Sequence, residues 1–370
     1  MAGLTGRATR RSLGNSVRKR FPLGENATTT RRTISDVARL AGVHPSTVSR
    51  ALHRADLPVS AETRRRVQAA VERLDYRPSA IARGLRLRRT RTLGMLVPDI
   101  TNPFFPPIIR GAEEAARERG YELVLCNTDD ETEREKASLR VLREREADGV
   151  LIATSRMADA TLASVRRAHF PFVLVNRGSR VTGDPAVEVD NARAAADIVA
   201  HLVLLGHKRI AHIAGPLSTT TGAERAAGYR EALRAHGLRA DPALVVEAAA
   251  YSEDAGRSAT ERVLALAPTA IVAANDLLAL GALLAARELA LRIPQDLSLV
   301  GINDIPMVGL LDPPLTTARV PKREMGALAA RMLIALVEHE PIAERRVLLQ
   351  TELVVRGSTA APRTAGQRVA

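Results

Sequence analysis

The sequence predicts an α/β protein in two parts: a small three-helix domain holding a helix-turn-helix, then a body of two lobes, each a doubly wound parallel sheet. Three observations predict it. The segment "TISDVARLAGVHPSTVSRAL", Thr33 to Leu52, carries apolar residues at helical spacing on both sides of a glycine turn. From Leu93 onward, apolar runs alternate with amphipathic stretches, and the series occurs twice. Net positive charge is confined to one end: residues 1–92 hold 21 Lys+Arg against 6 Asp+Glu, while residues 93–370 hold 33 against 35. The basic end seeks a polyanion and the body does not.

Residues 1–30 are polar and arginine-rich with no apolar run, and are expected to be a disordered basic extension. The first compact unit is expected over 31–77. Thr33 stands where an N-cap hydroxyl satisfies free amides, and Ile34, Val37, Ala38 and Ala41 recur on one helical face. Gly42 can take the left-handed conformation that ends this helix, and Val43 can plug the gap beneath. Pro45 suits the first turn of a second helix running to Leu52. Val48, Ala51 and Leu52 face inward on it, whereas Pro45, Ser46, Ser49 and Arg50 lie on the other side. His44 caps less well than a serine would, so Pro45 is expected to fix the first turn. Ser60 to Leu74 forms a third helix on Val67, Ala70, Val71 and Leu74.

A linker is expected over 78–92. Arg77-Pro78-Ser79 breaks the third helix, and Ala80 to Leu87 forms a short basic helix with Ile81 and Leu85 on one face. Gly84 lowers its propensity by about 1 kcal/mol relative to alanine, so it is marginal alone. The body, 93–357, begins with "TLGMLVPDI" and continues through "YELVLCN", "DGVLIAT" and "FPFVLVNRG", with amphipathic helices between. The series restarts at "HKRIAHIAG" and passes through "ALVVEA", "TAIVAAN" and "LSLVGIND". "PLTTARVP", a helix from Lys322 to Glu338 and one final strand, "VLLQTELVVRGS", complete it. The tail 358–370 is expected to be unfolded and carries no leucine heptads, which favours a dimer over a coiled-coil tetramer.

Several function classes lose support. No G-x-G-x-x-G follows the first strand of either lobe, and no G-x-x-x-x-G-K-[ST] occurs. No serine sits in a G-x-S-x-G elbow. His169, His201, His207 and His212 lack acidic or thiol neighbours at metal spacing and are read as structural, in surface or strand-edge settings. The chain is therefore expected to be neither an enzyme nor a cofactor or metal protein. A single Cys126, with no apolar run long enough to span a bilayer, points to a cytoplasmic location. Polar residues gather instead at the carboxyl ends of expected strands, where open parallel sheets bind ligands: Asp99 and Asn102, Asn127, Asn176 and Arg177, Asn275 and Asp276, Asn303 and Asp304.

The run D-V-A-x-x-A-G-V-x-x-x-T-V-S-R resembles the DNA-binding headpiece of the lac repressor family. V-P-D-I-T-N-P-F-F, G-P-L-x-x-x-T-G-x-x-R, N-D-L-L-A-L-G-A-L and L-R-I-P-Q-D-L-S-L-V-G-I-N-D-I-P resemble its effector-binding core. The resemblance covers Thr33 to Gly357. It implies a headpiece, a hinge helix and a two-lobed core like periplasmic binding proteins, in a homodimer that represses transcription from a pseudo-palindromic operator. Pro45, Ser46 and Arg50 would read base edges, Thr47 and Ser49 would contact phosphates, and Thr33 and His53 complete the headpiece set. Arg83 and Arg86 would neutralise phosphates while Leu85 wedges into a minor-groove step. Asn102, Phe104, Arg177, Thr221, Arg225, Asp276 and Asn303 would line a cleft for a small effector: a sugar or sugar phosphate by default, with a nucleobase behind it. Relatives often carry Asp where Asn303 stands. The rivals are a free-standing sugar-binding transport protein, which needs no headpiece, and a two-lobed enzyme using Asp99 and Asp276.

Overall fold

The computed structural model describes residues 32–53, 59–76, 89–157 and 159–363. The chain divides into two compact units, Met1–Ser79 and Ala80–Ala370.

In the first unit, α1 (Ile34–Ala41), α2 (Pro45–His53) and α3 (Ala61–Arg73) enclose a core of small residues: Val37, Ala38, Ala41, Val48, Ala51, Val67 and Ala70. With four alanines there, the helices can pack closely. Thr33 opens α1 with a capping box, exchanging hydrogen bonds with Asp36, and Gly42 closes it at φ 64°. Two arginines of α3 terminate the other helices: Arg66 donates to the Ala41 carbonyl at 2.5 Å and Arg64 to that of Ala51 at 2.8 Å. His44 caps α2 through its ring, Nδ1 accepting from the Ser46 amide at 3.2 Å.

The second unit holds two sheets. The first has the order β11-β5-β4-β3-β1-β2, formed by β1 (Thr92–Val97), β2 (Glu122–Asn127), β3 (Gly149–Ile152), β4 (Phe172–Val175), β5 (Ala186–Val189) and β11 (Arg346–Leu349). All its pairings are parallel. The second has the order β12-β10-β9-β8-β6-β7, formed by β6 (Ile210–Ala214), β7 (Val245–Glu247), β8 (Ala270–Ala273), β9 (Ser298–Asn303), β10 (Thr316–Arg319) and β12 (Glu352–Val354). Only β12 runs antiparallel there. Helices α4 (Phe105–Glu118), α5 (Thr132–Glu144), α6 (Ala160–Arg167) and α11 (Lys322–Glu338) cover the first sheet. The helices α7 (Asn191–Leu204), α8 (Thr220–Ala235), α9 (Glu253–Leu264) and α10 (Asp276–Glu288) cover the second. Central strands such as β3, β4, β8 and β9 are buried throughout, as strands covered on both faces must be.

The chain crosses between lobes three times: after β5 at Asp190, after β10 at Val320 and Pro321, and between β11 and β12 at Gln350 and Thr351. The last crossing corrects the expectation of one final strand. "VLLQTELVV" splits, Arg346–Leu349 pairing with β5 and Glu352–Val354 with β10. β5 and α7 are further elements absent from the sequence-based series. Two other expectations, an unfolded tail and histidines in surface or strand-edge settings, fail as well. The segment after Gly357 is packed through Ala360: Ser358 is fully buried and accepts from the Leu299 amide, and Ala360 exchanges bonds with Ser298. His207 is buried against that tail, with Nε2 2.9 Å from the Ala360 carbonyl, and His212 is buried in β6, stacked on Tyr229. Burial pushes the His212 imidazole down to about 4.

Candidate functional site

On the first unit, the outward face of α2 carries the residues expected to read DNA. Arg50 is exposed and lies back along its own helix, its Nε donating to the Ser46 carbonyl at 3.2 Å and its Nη2 to the Ser46 hydroxyl at 3.3 Å. Pro45, Ser46, Thr47 and Ser49 are half-buried, with Val48 and Ala51 turned to the core. Thr33 is exposed at the start of α1, its hydroxyl engaged by Asp36. Arg83, Leu85, Arg86 and the His53 side chain lie outside the described residues.

In the second unit, a cavity of about 260 Å³ lies where the carboxyl ends of both sheets face each other. Six of the seven cleft residues expected from the sequence line it: Asn102, Phe104, Arg177, Thr221, Arg225 and Asn303. Strand ends explain the placement, since the loops after β1, β4 and β8 carry Asn102, Arg177 and Asn275, and Asn303 is the last residue of β9. Asn176 sits at φ 65° and Asn303 at φ 123°, left-handed conformations that Asn tolerates better than most residues. Both side chains are buried, and the Oδ1 atom of each has no hydrogen-bond partner. One comes from each lobe.

The arginines are already engaged. Arg177 pairs with Asp130 at 3.0 Å and lies over the Tyr251 ring, with its Cζ 6.0 Å from the centroid. Arg225 donates to Asn191 Oδ1 at 2.8 Å and to the Ala274 carbonyl at 2.5 Å, and its burial pushes its pKa down. Asp99, Asp129 and Asp130 add three carboxylates to the wall. Phe104 meets Phe105 edge to face at 5.2 Å. Across the cleft, Thr221 shares a hydrogen bond with the Tyr251 hydroxyl at 3.1 Å, and Gly215 leaves room for that ring, since a Cβ there would overlap it. The lobes also touch through backbone amides: Met157 donates to the Ser218 carbonyl and Gly178 to the Thr220 hydroxyl, both at 2.9 Å.

Asp276 requires correction. It does not line the cavity; its neighbour Asn275 does. The Asp276 carboxylate is fully buried behind the wall, accepting from the Thr317 hydroxyl at 2.6 Å and the Ile305 amide at 2.8 Å. Burial pushes it up to about 7, against those two hydrogen bonds and the charge of Lys322. Asn127 is likewise structural, accepting from the Ile100 amide at 2.8 Å. The wall residues that sequence reasoning passed over include Asp129, Asp130 and Tyr251. The acidic pair follows β2 and obeys the strand-end rule already in use, whereas Tyr251 lies in an irregular loop after β7 with no such signal.

Two family profiles match the chain: "Bacterial regulatory proteins, lacI family" over residues 33–79 and "Periplasmic binding protein-like domain" over residues 199–359. The ribose operon repressor of Escherichia coli K12 is 36% identical over 88% of this chain and 99% of its own length. The chain belongs to the lacI family. The regulator RegA of Clostridium saccharobutylicum matches equally well, and the repressor CytR of E. coli K12 is 36% identical over 90% of this chain and 97% of its own. Among solved structures, a lac repressor dimer bound to operator and the anti-inducer ONPF superposes with a TM-score of 0.79. It is 28% identical and covers 89% of this chain and 99% of that one. A complex of the regulator CelR with cellobiose gives 0.68 at 34% identity, covering 89% of this chain and all of that one. This lacI-family chain is thus a DNA-binding transcriptional regulator with a small-molecule cleft, and its curated relatives are regulators rather than enzymes. Among the described residues, no helix is long and apolar enough to cross a membrane, and no cluster of His, Cys, Asp or Glu can hold a metal ion.

Proposed function

We propose that this chain is a cytoplasmic, non-enzymatic repressor whose homodimer binds a pseudo-palindromic operator under the control of an uncharged, hydroxyl-rich molecule, a monosaccharide or nucleoside, held in the interlobe cleft. The observation that carries the effector class is the pair of unpartnered amide oxygens, Asn176 Oδ1 and Asn303 Oδ1, on opposite walls of one cavity. A buried acceptor without a donor costs about 1–3 kcal/mol, and a ligand hydroxyl removes that cost on each wall. A sugar phosphate fits less well. Both guanidiniums are already spent on protein acceptors, and three carboxylates face the same space. The ribose and cellobiose named for two relatives agree with a neutral ligand.

A thermal-shift series tests this. Ribose, glucose, cellobiose and cytidine at millimolar concentration are expected to include at least one that raises the melting temperature, while glucose 6-phosphate and ribose 5-phosphate do not. Stabilisation by the phosphates alone would reverse the assignment. Asn303→Ala is expected to weaken the active ligand roughly 5- to 100-fold with the fold intact, as loss of one buried hydrogen bond should.

On the DNA side, Arg50, Pro45, Ser46, Thr47 and Ser49 are proposed to enter the major groove, with Thr33 and His53 at the margins of the headpiece and Arg83, Leu85 and Arg86 acting from the hinge. Arg50 can leave Ser46 and bind guanine bidentately, which discriminates by about 1–3 kcal/mol. Arg50→Ala is therefore expected to relax base preference at one position of each half-site in a selection from random duplexes. An unchanged selection profile would remove Arg50 from the reading set.

A further inference from the structure

Helix α11 starts where the chain leaves the second lobe and ends beside the linker. Its 17 residues span about 25 Å. Along its length it belongs to the first lobe, packed on α4 so closely that a Cβ at Gly326 would overlap the Ile108 carbonyl and one at Gly111 the Arg323 carbonyl. Its two ends reach elsewhere. In the first turn, Lys322 Nζ donates to the carbonyl oxygens of Asn303 and Asp304, 2.8 Å for the latter, and so grips the second-lobe strand end that forms the cavity wall. Lys322 is half-buried, and the Asp276 and Asp304 carboxylates lie close enough to oppose the effect of that burial on its charge. In the last turn, the Val337 carbonyl accepts from Arg89 Nη2 at 3.2 Å, and Glu338 pairs with Arg89 at 3.9 Å and accepts from the Tyr121 hydroxyl at 3.2 Å. Arg89 precedes Thr90 and Arg91, whose amides both donate to Asp148, at 3.0 and 2.7 Å. Residues 77–88 lead from there to the DNA-reading unit.

We infer that α11 is the element that couples the cleft to the linker, with Lys322 and Glu338 as its positioning residues. The coupling follows from what each end holds. A change in lobe orientation must stretch the Lys322 contacts or draw the start of the helix with it. A helix seated backbone to backbone at Gly326 passes such a displacement on to its far end rather than bending there. A lysine suits the first turn, because one compact ammonium can serve two adjacent carbonyls, which a planar guanidinium does less readily. Lysine is otherwise scarce in this chain, found elsewhere only at Lys19, Lys136 and Lys208. The inference rests on the cleft being the effector site only for what moves Lys322; the mechanical link stands or falls without any ligand.

Hydrogen–deuterium exchange on the full-length free protein therefore tests the link directly. Lys322→Met keeps the aliphatic stem and removes the donor. It is expected to speed exchange at Ile305 and, at the other end of the helix, at Thr90 and Arg91, by roughly fivefold or more. Because coupling between sites is reciprocal, Glu338→Gln is expected to speed the same two regions. Arg331→Met, which removes an exposed pair with Glu118 midway along the helix, should change neither end. Effects confined in each variant to its own end would overturn the inference. Should Lys322→Met lose its fold, visible as uniform fast exchange, Glu338→Gln decides alone: faster exchange at Ile305 supports the link, and an unchanged Ile305 refutes it.

Discussion

Gly326→Val is expected to destabilise the core by at least about 3 kcal/mol and to abolish ligand binding and specific DNA binding together. The reason is geometric. Gly326 faces the Ile108 carbonyl and the Ala112 amide of α4 directly, so any Cβ would occupy space held by backbone, which no rotamer change can vacate. The two helices would have to separate. Met325, Ala329 and Leu333, all buried in the main core, would then lose their contacts along with Ile108 and Ala112. Gly309→Val offers the control, since a Cβ there meets only the flexible end of Arg356 at ordinary contact distance. Denaturation midpoints of the two variants measure the difference. A Gly326→Val protein within about 1 kcal/mol of the unaltered one would mean that the crossing is looser than its geometry indicates.

How much of this molecule its sequence announces depends on whether a residue's role is local. Thr33, Gly42, Val48 and Val67 declare themselves because caps, turns and helical faces are set by neighbours a few positions away. The strand-end rule found Asp99, Asn102, Asn176, Arg177, Asn275 and Asn303 for the same reason, since each stands at the end of a readable apolar run, whereas Phe104, Thr221 and Arg225 came from the family resemblance. Errors arose where the partner is remote. "VLLQTELVV" looks like one strand, and only the three-dimensional crossover shows that its halves belong to different sheets. His207 and Ser358 resemble surface residues until each is seen to satisfy a tail or strand group some 59 or more positions away. Asp276 illustrates the limit most clearly. Its place after β8 predicts a cleft-facing carboxylate, yet Ile305 and Thr317 turn it inward, and neither partner is signalled nearby in the chain.

That placement changes what substitution of Asp276 should do. Asp276→Ala strands the Ile305 amide and the Thr317 hydroxyl in a buried site, and is expected to cost about 2–4 kcal/mol and to weaken the effector through the misplaced Asn303 loop. Asp276→Asn separates the two consequences. Its amide oxygen can still accept from Ile305 while its amide nitrogen donates to a rotated Thr317 hydroxyl, the same pattern a protonated Asp276 would adopt. The pH dependence then identifies the group. With its pKa pushed up to about 7, the folded chain keeps on Asp276 a proton that the unfolded chain releases near 3.8. The unaltered protein should therefore lose stability relative to Asp276→Asn as pH rises from about 4 to about 7, by at most about 1.4 kcal/mol per unit and about 4 kcal/mol in all. Above pH 7 the gap should stay constant. Glu135, also pushed up to about 7 by burial, and His212, pushed down to about 4, titrate in both proteins and cancel in the difference. Urea unfolding of the pair at intervals between pH 4.5 and 8 measures it, and parallel curves would show that Asp276 stays charged in the fold, held by Lys322, Ile305 and Thr317 despite its burial.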